Sequence, residues 1–324
     1  MPTGFEDYLG ILKQRMDDAF GKALSILLGN VPMENTASLM EILQAGKKIR
    51  GCLSCMVSEA LGGTLEAAIP RAVAVELIQA ATLIHDDFVD QDTLRRNRPA
   101  AWTLEGARRA VLIGDVIFAT AIKMMNDLGW EDGLAVSHAI AQVAKGALHE
   151  PLDPLDVIRE IESNRLDGQW YERIIHLKTG ILFGTACRLG AIAANTDIRT
   201  REISYRYGLR IGEAYQIADD MKEVKQHLST RSIRPEQMAP LVPALLYFAD
   251  GIGPHMMKIL EGESPEVDDP VWELFARAAM LMEETIEGRL KSAVSEIQED
   301  FVTGQYRELV RTAPWDLIRL FNQS

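Results

Sequence analysis

The chain has 324 residues and carries 34 Lys and Arg against 47 Asp and Glu, a formal net charge of −13. Its 47% hydrophobic and 25% charged residues are ordinary for a folded globular protein, and three cysteines are too few for a disulfide framework. The acidic balance argues against a nucleic-acid partner, because phosphate backbones attract positively charged surfaces.

Helical periodicity dominates the chain from its first residues onward. Apolar side chains between Phe5 and Leu27 recur at three- and four-residue steps, which predicts an amphipathic helix. Similar stretches follow at 36–44, 52–61, 71–91, 105–128, 134–148, 155–176, 179–194, 200–227, 237–249, 269–299 and 304–321. Strand alternation is nearly absent, and no repeat or long linker divides the chain. The sequence predicts a single all-α domain over residues 1–324.

No targeting or membrane signal is apparent in the sequence. The first residues lack the basic and apolar regions of a signal peptide. We find no run of about 18 apolar residues, the length that a membrane-spanning helix needs. We therefore expect a cytoplasmic protein with no integral membrane association.

Carboxylates cluster where the predicted helix 71–91 ends. Asp86 and Asp90 are four residues apart, so they share a helix face, and Asp87 lies between them. Such a cluster disfavours the helix unless cations bind to it, and Mg²⁺ prefers carboxylates combined with water and phosphate oxygens. The alternative is a solvated acidic helix end, which the apolar segment before Asp86 disfavours.

A second acidic cluster lies far along the chain, in the predicted helix 200–227. Asp219 and Glu223 again share a helix face, and Asp220 accompanies them. If the two clusters face each other across a cavity, they form a metal site.

Basic residues accompany both acidic clusters. Lys47 and Arg50 precede the first cluster, Arg95 and Arg96 follow it, and Lys178 begins a helix rich in small residues. Magnesium carboxylates combined with Arg and Lys are typical of a diphosphate site, because the cations neutralise the remaining phosphate charge.

Together these motifs resemble those of the trans-isoprenyl diphosphate synthases. The resemblance rests on the runs 75–90 and 94–99, and on 46–50, 114–115, 178–180 and 215–220. The motifs occur in the family's order and span about residues 40–225. The resemblance implies an all-α bundle of the isoprenoid synthase type around a central cavity. It also implies a homodimer that couples an allylic diphosphate to isopentenyl diphosphate, head to tail.

Residue roles follow from the same resemblance. It implies three Mg²⁺ ions held by Asp86, Asp90 and Asp219, with Asp87, Asp220 and Glu223 in support. Lys47, Arg50, Gln79 and Arg96 would bind isopentenyl diphosphate, whereas Arg95 and Lys178 would bind the allylic diphosphate. Thr179 and Gln216 would face the developing allylic cation.

Four positions depart from the family pattern. Gln79 stands where the family has His, and Glu223 stands where it has Asp. The lysines that usually follow the second acidic cluster are missing, and only Lys225, Arg231 and Arg234 lie nearby. The family's Gly-Gln motif is matched by Gly168–Gln169, much closer to Lys178 than usual, or more poorly by Gly146 with Glu150, so Gln169 is a weak candidate.

Two alternatives stay open beside the prenyltransferase hypothesis: a terpene cyclase or diphosphate lyase on the same fold, and a non-catalytic regulatory subunit. Small residues at Ala81 and Thr82 favour an open tunnel and a product of twenty carbons or longer. Cys52 and Cys55 form a lone Cys-x-x-Cys pair, which is more typical of a helix core than of zinc.

Overall fold

The computed structural model describes residues 2–29, 36–149, 153–163, 169–297, 302 and 304–322. Helices dominate these residues, which confirms the predicted all-α class; one hairpin of two-residue strands, β1 (Leu94–Arg95) and β2 (Arg98–Pro99), is added to them. The helices are α1 (Phe5–Leu28), α2 (Thr36–Gln44), α3 (Ile49–Ala60), α4 (Leu65–Val89), α5 (Ala101–Glu105), α6 (Ala107–Leu128), α7 (Trp130–His149), α8 (Pro154–Glu162), α9 (Trp170–Ile175), α10 (Ile181–Ala193), α11 (Ile198–Thr230), α12 (Pro235–Met238), α13 (Val242–Phe248), α14 (Gly253–Leu260), α15 (Val271–Glu296) and α16 (Arg307–Asn322).

Three long helices form the centre of the bundle. α4 packs on α3 and α6, α10 packs on α3, α4 and α7, and α11 packs on α10 and α15. α10 and α11 approach closely at Gly208, where a Cβ atom would lie 2.4 Å from the carbonyl oxygen of Phe183. The central position of α4 and α11 matters because these two helices carry the two acidic clusters.

The helix boundaries follow local chemistry. The Thr64 hydroxyl accepts a hydrogen bond from the Ala67 amide and caps α4, and the Asp197 carboxylate caps α11 at the Thr200 amide. α4 therefore begins six residues before the predicted start at 71, with Pro70 in its first turns.

Two other stretches differ from the sequence prediction. The predicted helix 155–176 comprises α8 and α9, with residues 164–168 outside the described part of the chain. α14 lies outside the predicted helices, because Gly251 and Gly253 at its start favour a turn.

α4 is the one helix among the described residues that is long and apolar enough to cross a bilayer by length and composition. Of its most apolar stretch, 61% is buried inside the protein. Composition alone does not distinguish such a helix from a membrane span, whereas its packing against α3, α6 and α10 is that of a core helix. Cys52 and Cys55 are buried in α3, as expected for core residues.

Candidate active site

A cavity of about 720 Å³ lies between α2, α3, α4, α7, α11 and α16. Most of the site residues predicted from the sequence line it, although they come from distant parts of the chain. They are Lys47, Arg50, Gln79, Asp86, Asp87, Asp90, Arg95, Arg96, Lys178, Thr179, Gln216 and Asp219. Asp220 and Glu223 are the predicted site residues that do not line it.

The C-terminal end of α4 forms one acidic wall of the cavity. Asp86 is half-buried and Asp90 is exposed, and both line the cavity, as their four-residue spacing predicts. Asp87 is buried and accepts a hydrogen bond of 2.7 Å from Arg95 Nε. Arg95 therefore neutralises Asp87 and ties the hairpin to α4.

α11 forms the opposing acidic wall through Asp219. Burial raises the pKa of Asp219, and the neighbouring cations Lys222, Lys178 and Arg95 partly oppose that rise. Glu223 lies one turn further along α11, and partial desolvation of its carboxyl group together with the charge of Asp219 raises its pKa.

Asp220 points to a different environment from that of Asp219. It accepts hydrogen bonds from the Tyr171 hydroxyl and, at 3.1 Å, from Gln216 Nε2. Burial raises the pKa of Asp220 to about 7, against the effect of these two hydrogen bonds. Successive residues on a helix are rotated by about 100°; here Asp219 lines the cavity whereas Asp220 turns to Tyr171.

Lys178 and Thr179 lie in a π-helical turn, His176–Gly180, between α9 and α10. The Thr179 hydroxyl donates a 2.7 Å hydrogen bond to Gln216 Oε1, which in turn joins the Asp220 network. Single π turns inside helices are rare and are frequent at functional sites. Here the turn places a cation and a hydroxyl on the cavity wall next to Asp219.

The basic side of the cavity contains two cations, the half-buried Arg50 and the buried Lys48. Arg50 lies 4.5 Å from the ring centroid of Phe183, and burial lowers its pKa. Its Nε atom is buried with no hydrogen-bond partner among the described residues, which is costly unless a ligand supplies one. Lys48 lies over the Phe20 ring, and burial lowers its pKa as well.

Lys47 and Arg96 complete this side of the cavity from two loops. Lys47 Nζ donates a 2.6 Å hydrogen bond to the Leu320 carbonyl oxygen of α16. Arg96 has a positive φ of 52° in the hairpin turn, and its guanidinium lies against Gly46. The arginine thus reaches the loop that carries Lys47.

Some cavity residues were not predicted. Phe321 lines the cavity from α16 and packs its ring against Tyr215, with a centroid distance of 4.9 Å. No local sequence signal identifies it, because α16 is far along the chain from every motif. Lys48 lies in the basic run 47–50, but the family resemblance assigns it no role.

The weak candidate Gln169 lies at the N-cap of α9 and does not line the cavity. Its neighbour Gly168 is outside the described residues. Glu172, three residues after Gln169, forms an ion pair with Arg289 of α15.

The carboxylates that line the cavity suit a metal ion that binds together with a phosphate ligand. Asp86, Asp90 and Asp219 offer hard carboxylate oxygens on one cavity, as Mg²⁺ requires. Within the described ranges, however, no three His, Cys, Asp or Glu side chains converge closely enough to hold a metal by themselves. The carboxylates therefore fit Mg²⁺ whose remaining ligands are water and phosphate oxygens.

Comparison with known proteins identifies the family. The sequence pattern of polyprenyl synthetases matches residues 34–231, more than half of the chain. The chain belongs to the polyprenyl synthetase family. Geranylgeranyl diphosphate synthase of Mycobacterium tuberculosis is 35% identical over 183 residues, which cover 55% of this chain and 50% of that protein. Octaprenyl diphosphate synthase of Escherichia coli is 30% identical over 199 residues, 61% of this chain and 59% of that protein. The matched segment thus spans half or slightly more of these curated polyprenyl synthetases.

Solved polyprenyl synthetase structures share the fold over nearly the whole chain. A polyprenyl synthase from Caulobacter crescentus, complexed with calcium and isoprenyl diphosphate, has a TM-score of 0.78 at 22% identity, covering 96% of this chain and 97% of that one. A decaprenyl diphosphate synthase from Rhodobacter capsulatus has a TM-score of 0.74 at 21% identity, covering 98% and 99%. The isoprenoid synthase type of bundle expected from the sequence is confirmed, and the C-terminal third, which carries no motif, belongs to it.

Proposed function

We propose that this polyprenyl synthetase is a prenyltransferase that condenses isopentenyl diphosphate with an allylic diphosphate, head to tail, to give a linear isoprenyl diphosphate. The observation that carries the proposal is the single cavity in which two acidic walls meet a set of lysines and arginines. Carboxylates alone would repel a diphosphate, and cations alone would need no metal. Their combination suits two diphosphates, one of them bound with Mg²⁺.

Asp86, Asp90 and Asp219 would hold the magnesium ions, which we propose to number three. Bound magnesium supplies positive charge that stabilises the departing diphosphate. Asp87 supports the site by fixing Arg95, and Glu223 adds charge beside Asp219. Asp220 supports it from behind by holding Gln216.

The protein's own residues bind and orient the two substrates. Lys178 and Arg95 face the allylic diphosphate, while Lys47, Arg50, Arg96 and Gln79 bind isopentenyl diphosphate. Arg50 Nε would gain the hydrogen-bond acceptor that it lacks among the described residues. Preorganised cations of this kind stabilise charge without reorganising during the reaction.

The reacting carbons would lie beside Thr179 and Gln216. When the allylic carbon–oxygen bond breaks, the oxygen dipoles of these two side chains would stabilise the allylic cation. The double bond of isopentenyl diphosphate then attacks this carbon, and the new carbon–carbon bond forms. Loss of a proton restores the double bond, and the released diphosphate accepts that proton.

We propose a product of twenty carbons or longer. Ala80 and Thr82 line the cavity with small side chains, whereas Ala81 is buried behind its wall. Relatives named as synthases of geranylgeranyl and octaprenyl diphosphates support a product in this range.

We also propose a cytoplasmic homodimer that works as one helical domain per chain. Exposed apolar side chains on α6 and α7 support the dimer: Leu112, Val116, Trp130 and Leu134 are between 43% and 73% exposed. Apolar patches of this kind are typical of protein–protein contacts.

Incubation of the purified protein with magnesium, isopentenyl diphosphate and allylic primers of increasing length tests the proposal. Mass spectrometry should detect elongated diphosphates. A hydrocarbon product would instead indicate a terpene cyclase or lyase, and no product from any primer would indicate a non-catalytic subunit.

A matched pair of variants tests the acidic wall. Asp86→Asn should lower turnover by about a hundredfold or more, because one magnesium ligand loses its charge. Asp127→Asn removes an aspartate whose ion pair with Lys123 lies on the exposed face of α6, and it should leave turnover unchanged. Equal activity of both variants would contradict the assignment of Asp86.

A further inference from the structure

A buried ion cluster lies behind the wall that carries Lys178 and Thr179. Its centre is Glu213 of α11, whose side chain is only 4% exposed. Glu213 Oε2 accepts hydrogen bonds from Arg289 Nη1 at 2.6 Å and from Arg210 Nη1 at 3.0 Å. Glu213 Oε1 lies 3.1 Å from His176 Nδ1. None of these residues lines the cavity.

Arg289 extends the cluster to two further helices. Its Nη2 atom donates a hydrogen bond to Glu172 of α9, and Glu172 also accepts a 2.8 Å hydrogen bond from the Tyr247 hydroxyl of α13. One guanidinium group from α15 thus joins α9 to α11.

Glu213 contacts both ends of the π-helical turn. His176, the first residue of the turn, is its hydrogen-bond partner, and Gly180 is the last residue of the turn. A Cβ atom at Gly180 would lie 3.2 Å from Glu213 Cγ, so the side-chain stem of Glu213 packs directly against this glycine. Lys178 and Thr179, between these two ends, line the cavity.

The charge of Glu213 is compensated within the cluster. Burial would raise its pKa, but the hydrogen bond from His176 and the charges of Arg289 and Arg210 outweigh burial and lower it. Burial alone would lower the pKa of Arg289, but the charges of Glu213 and Glu172 raise it. π turns are rare inside helices, and this one has contacts with Glu213 at both of its ends.

We propose that Glu213, fixed by Arg289, is a positioning residue that holds the π-helical turn so that Lys178 and Thr179 face the substrate. The proposal rests on the prenyltransferase function proposed above. In this proposal Glu172 supports the turn through its hydrogen bond with Arg289 and does not line the cavity. Small displacements of reacting groups are costly, so loss of this support lowers the rate.

Two variants and a matched control test the proposal. Glu213→Gln keeps the shape of the side chain but removes its charge, and Arg289→Lys keeps a cation but cannot join two carboxylates. The control is Arg71→Lys, which weakens a second buried ion pair: Arg71 and Asp132 have side chains 12% and 4% exposed and join α4 to α7. Neither Arg71 nor Asp132 lines the cavity.

Two measurements apply to each variant: the Kd of inorganic diphosphate in the presence of magnesium, by calorimetry, and steady-state turnover. Glu213→Gln should weaken diphosphate binding about tenfold and lower kcat about tenfold to a hundredfold. The KM for isopentenyl diphosphate should stay within about twofold, because Lys47 and Arg50 are held by other elements. Arg289→Lys should show a smaller loss in the same direction, and Arg71→Lys should show neither loss.

A double variant separates positioning from general destabilisation. In a Lys178→Ala background, Glu213→Gln should cause little further loss of diphosphate affinity, because the group that Glu213 positions is already missing. If the Lys178→Ala and Glu213→Gln substitutions lower diphosphate affinity by independent factors that multiply in the double variant, the proposal is overturned. It is also overturned if Arg71→Lys loses as much affinity and turnover as Glu213→Gln. If Glu213→Gln does not fold, Arg289→Lys decides by the same criteria. If the unmodified protein elongates no primer, the proposed function fails, but the diphosphate affinities still decide whether Glu213 positions the turn.

Discussion

The ion pair between Arg95 and Asp87 allows a quantitative prediction about Arg95, which has two roles. Arg95 lines the cavity, and it also neutralises a carboxylate that is only 4% exposed. Arg95→Met leaves Asp87 buried without its cation. Removing one partner of a fully buried pair costs about 3–5 kcal/mol. Because the Arg95 side chain is 30% exposed, solvent weakens the pair, and we expect a loss of about 2 kcal/mol in the free energy of unfolding.

The partner variants complete a double-mutant cycle. Asp87→Asn alone should cost about 1 kcal/mol, since the amide still accepts one hydrogen bond from Arg95. The double variant should lose about 1.5 kcal/mol rather than the sum, which gives a coupling energy of about 1.5 kcal/mol. Urea unfolding followed by circular dichroism measures all four proteins. A coupling energy below about 0.5 kcal/mol would show that Arg95 does not stabilise Asp87, and it would leave substrate binding as the role of Arg95.

Three further predictions concern packing, thiols and metal. Gly208→Ala should lower the free energy of unfolding by about 1–3 kcal/mol, because the new methyl group clashes with the Phe183 carbonyl oxygen. Gly10→Ala, whose methyl group would have nothing within 4 Å, should raise the free energy of unfolding by up to about 1 kcal/mol. Similar melting curves for the two variants would refute the close contact at Gly208. Burial raises the pKa of Cys55 to about 12, so about one thiol in ten thousand is ionised at pH 8. Ellman's reagent should therefore label none of the three buried cysteines before unfolding, and rapid labelling of native protein would contradict their burial. Magnesium alone should hardly change the melting temperature. Magnesium with diphosphate at about 100 times its Kd should add about 2.7 kcal/mol, or about 4 °C for a chain of this length; an equal shift with magnesium alone would indicate a site formed by the protein alone.

The sequence predicted the helices well because most of them bury one continuous face. Phe5, Leu12, Met16 and Leu24 of α1 are all nearly inaccessible, as their spacing indicates. The hairpin at β1 and β2 was not predicted, because two-residue strands carry no alternation. The π-helical turn at Lys178 was not predicted either, since its apolar spacing does not differ from that of an α-helix over five residues.

The candidate site was predictable in composition but not in orientation. Spacing placed Asp86 and Asp90 on one face, and the cavity contains both. Spacing could not reveal that Asp220 turns to Tyr171, because that tyrosine lies on a separate helix. Long-range partners such as Arg289 for Glu213 likewise depend on tertiary packing, and no local pattern encodes them.

The hairpin turn between β1 and β2 restricts how the length of this segment can change over evolutionary time. Arg96 and Asn97 both have positive φ, 52° and 60°, which is the mirror-image turn that joins two strands through two residues. One inserted residue would shift the strand pairing by one position and turn Arg95 to the opposite face, away from Asp87. Surface loops elsewhere tolerate insertions and deletions. In this segment a change of length would separate a cation from the acidic wall, so the site depends here on the number of residues as well as on their identity.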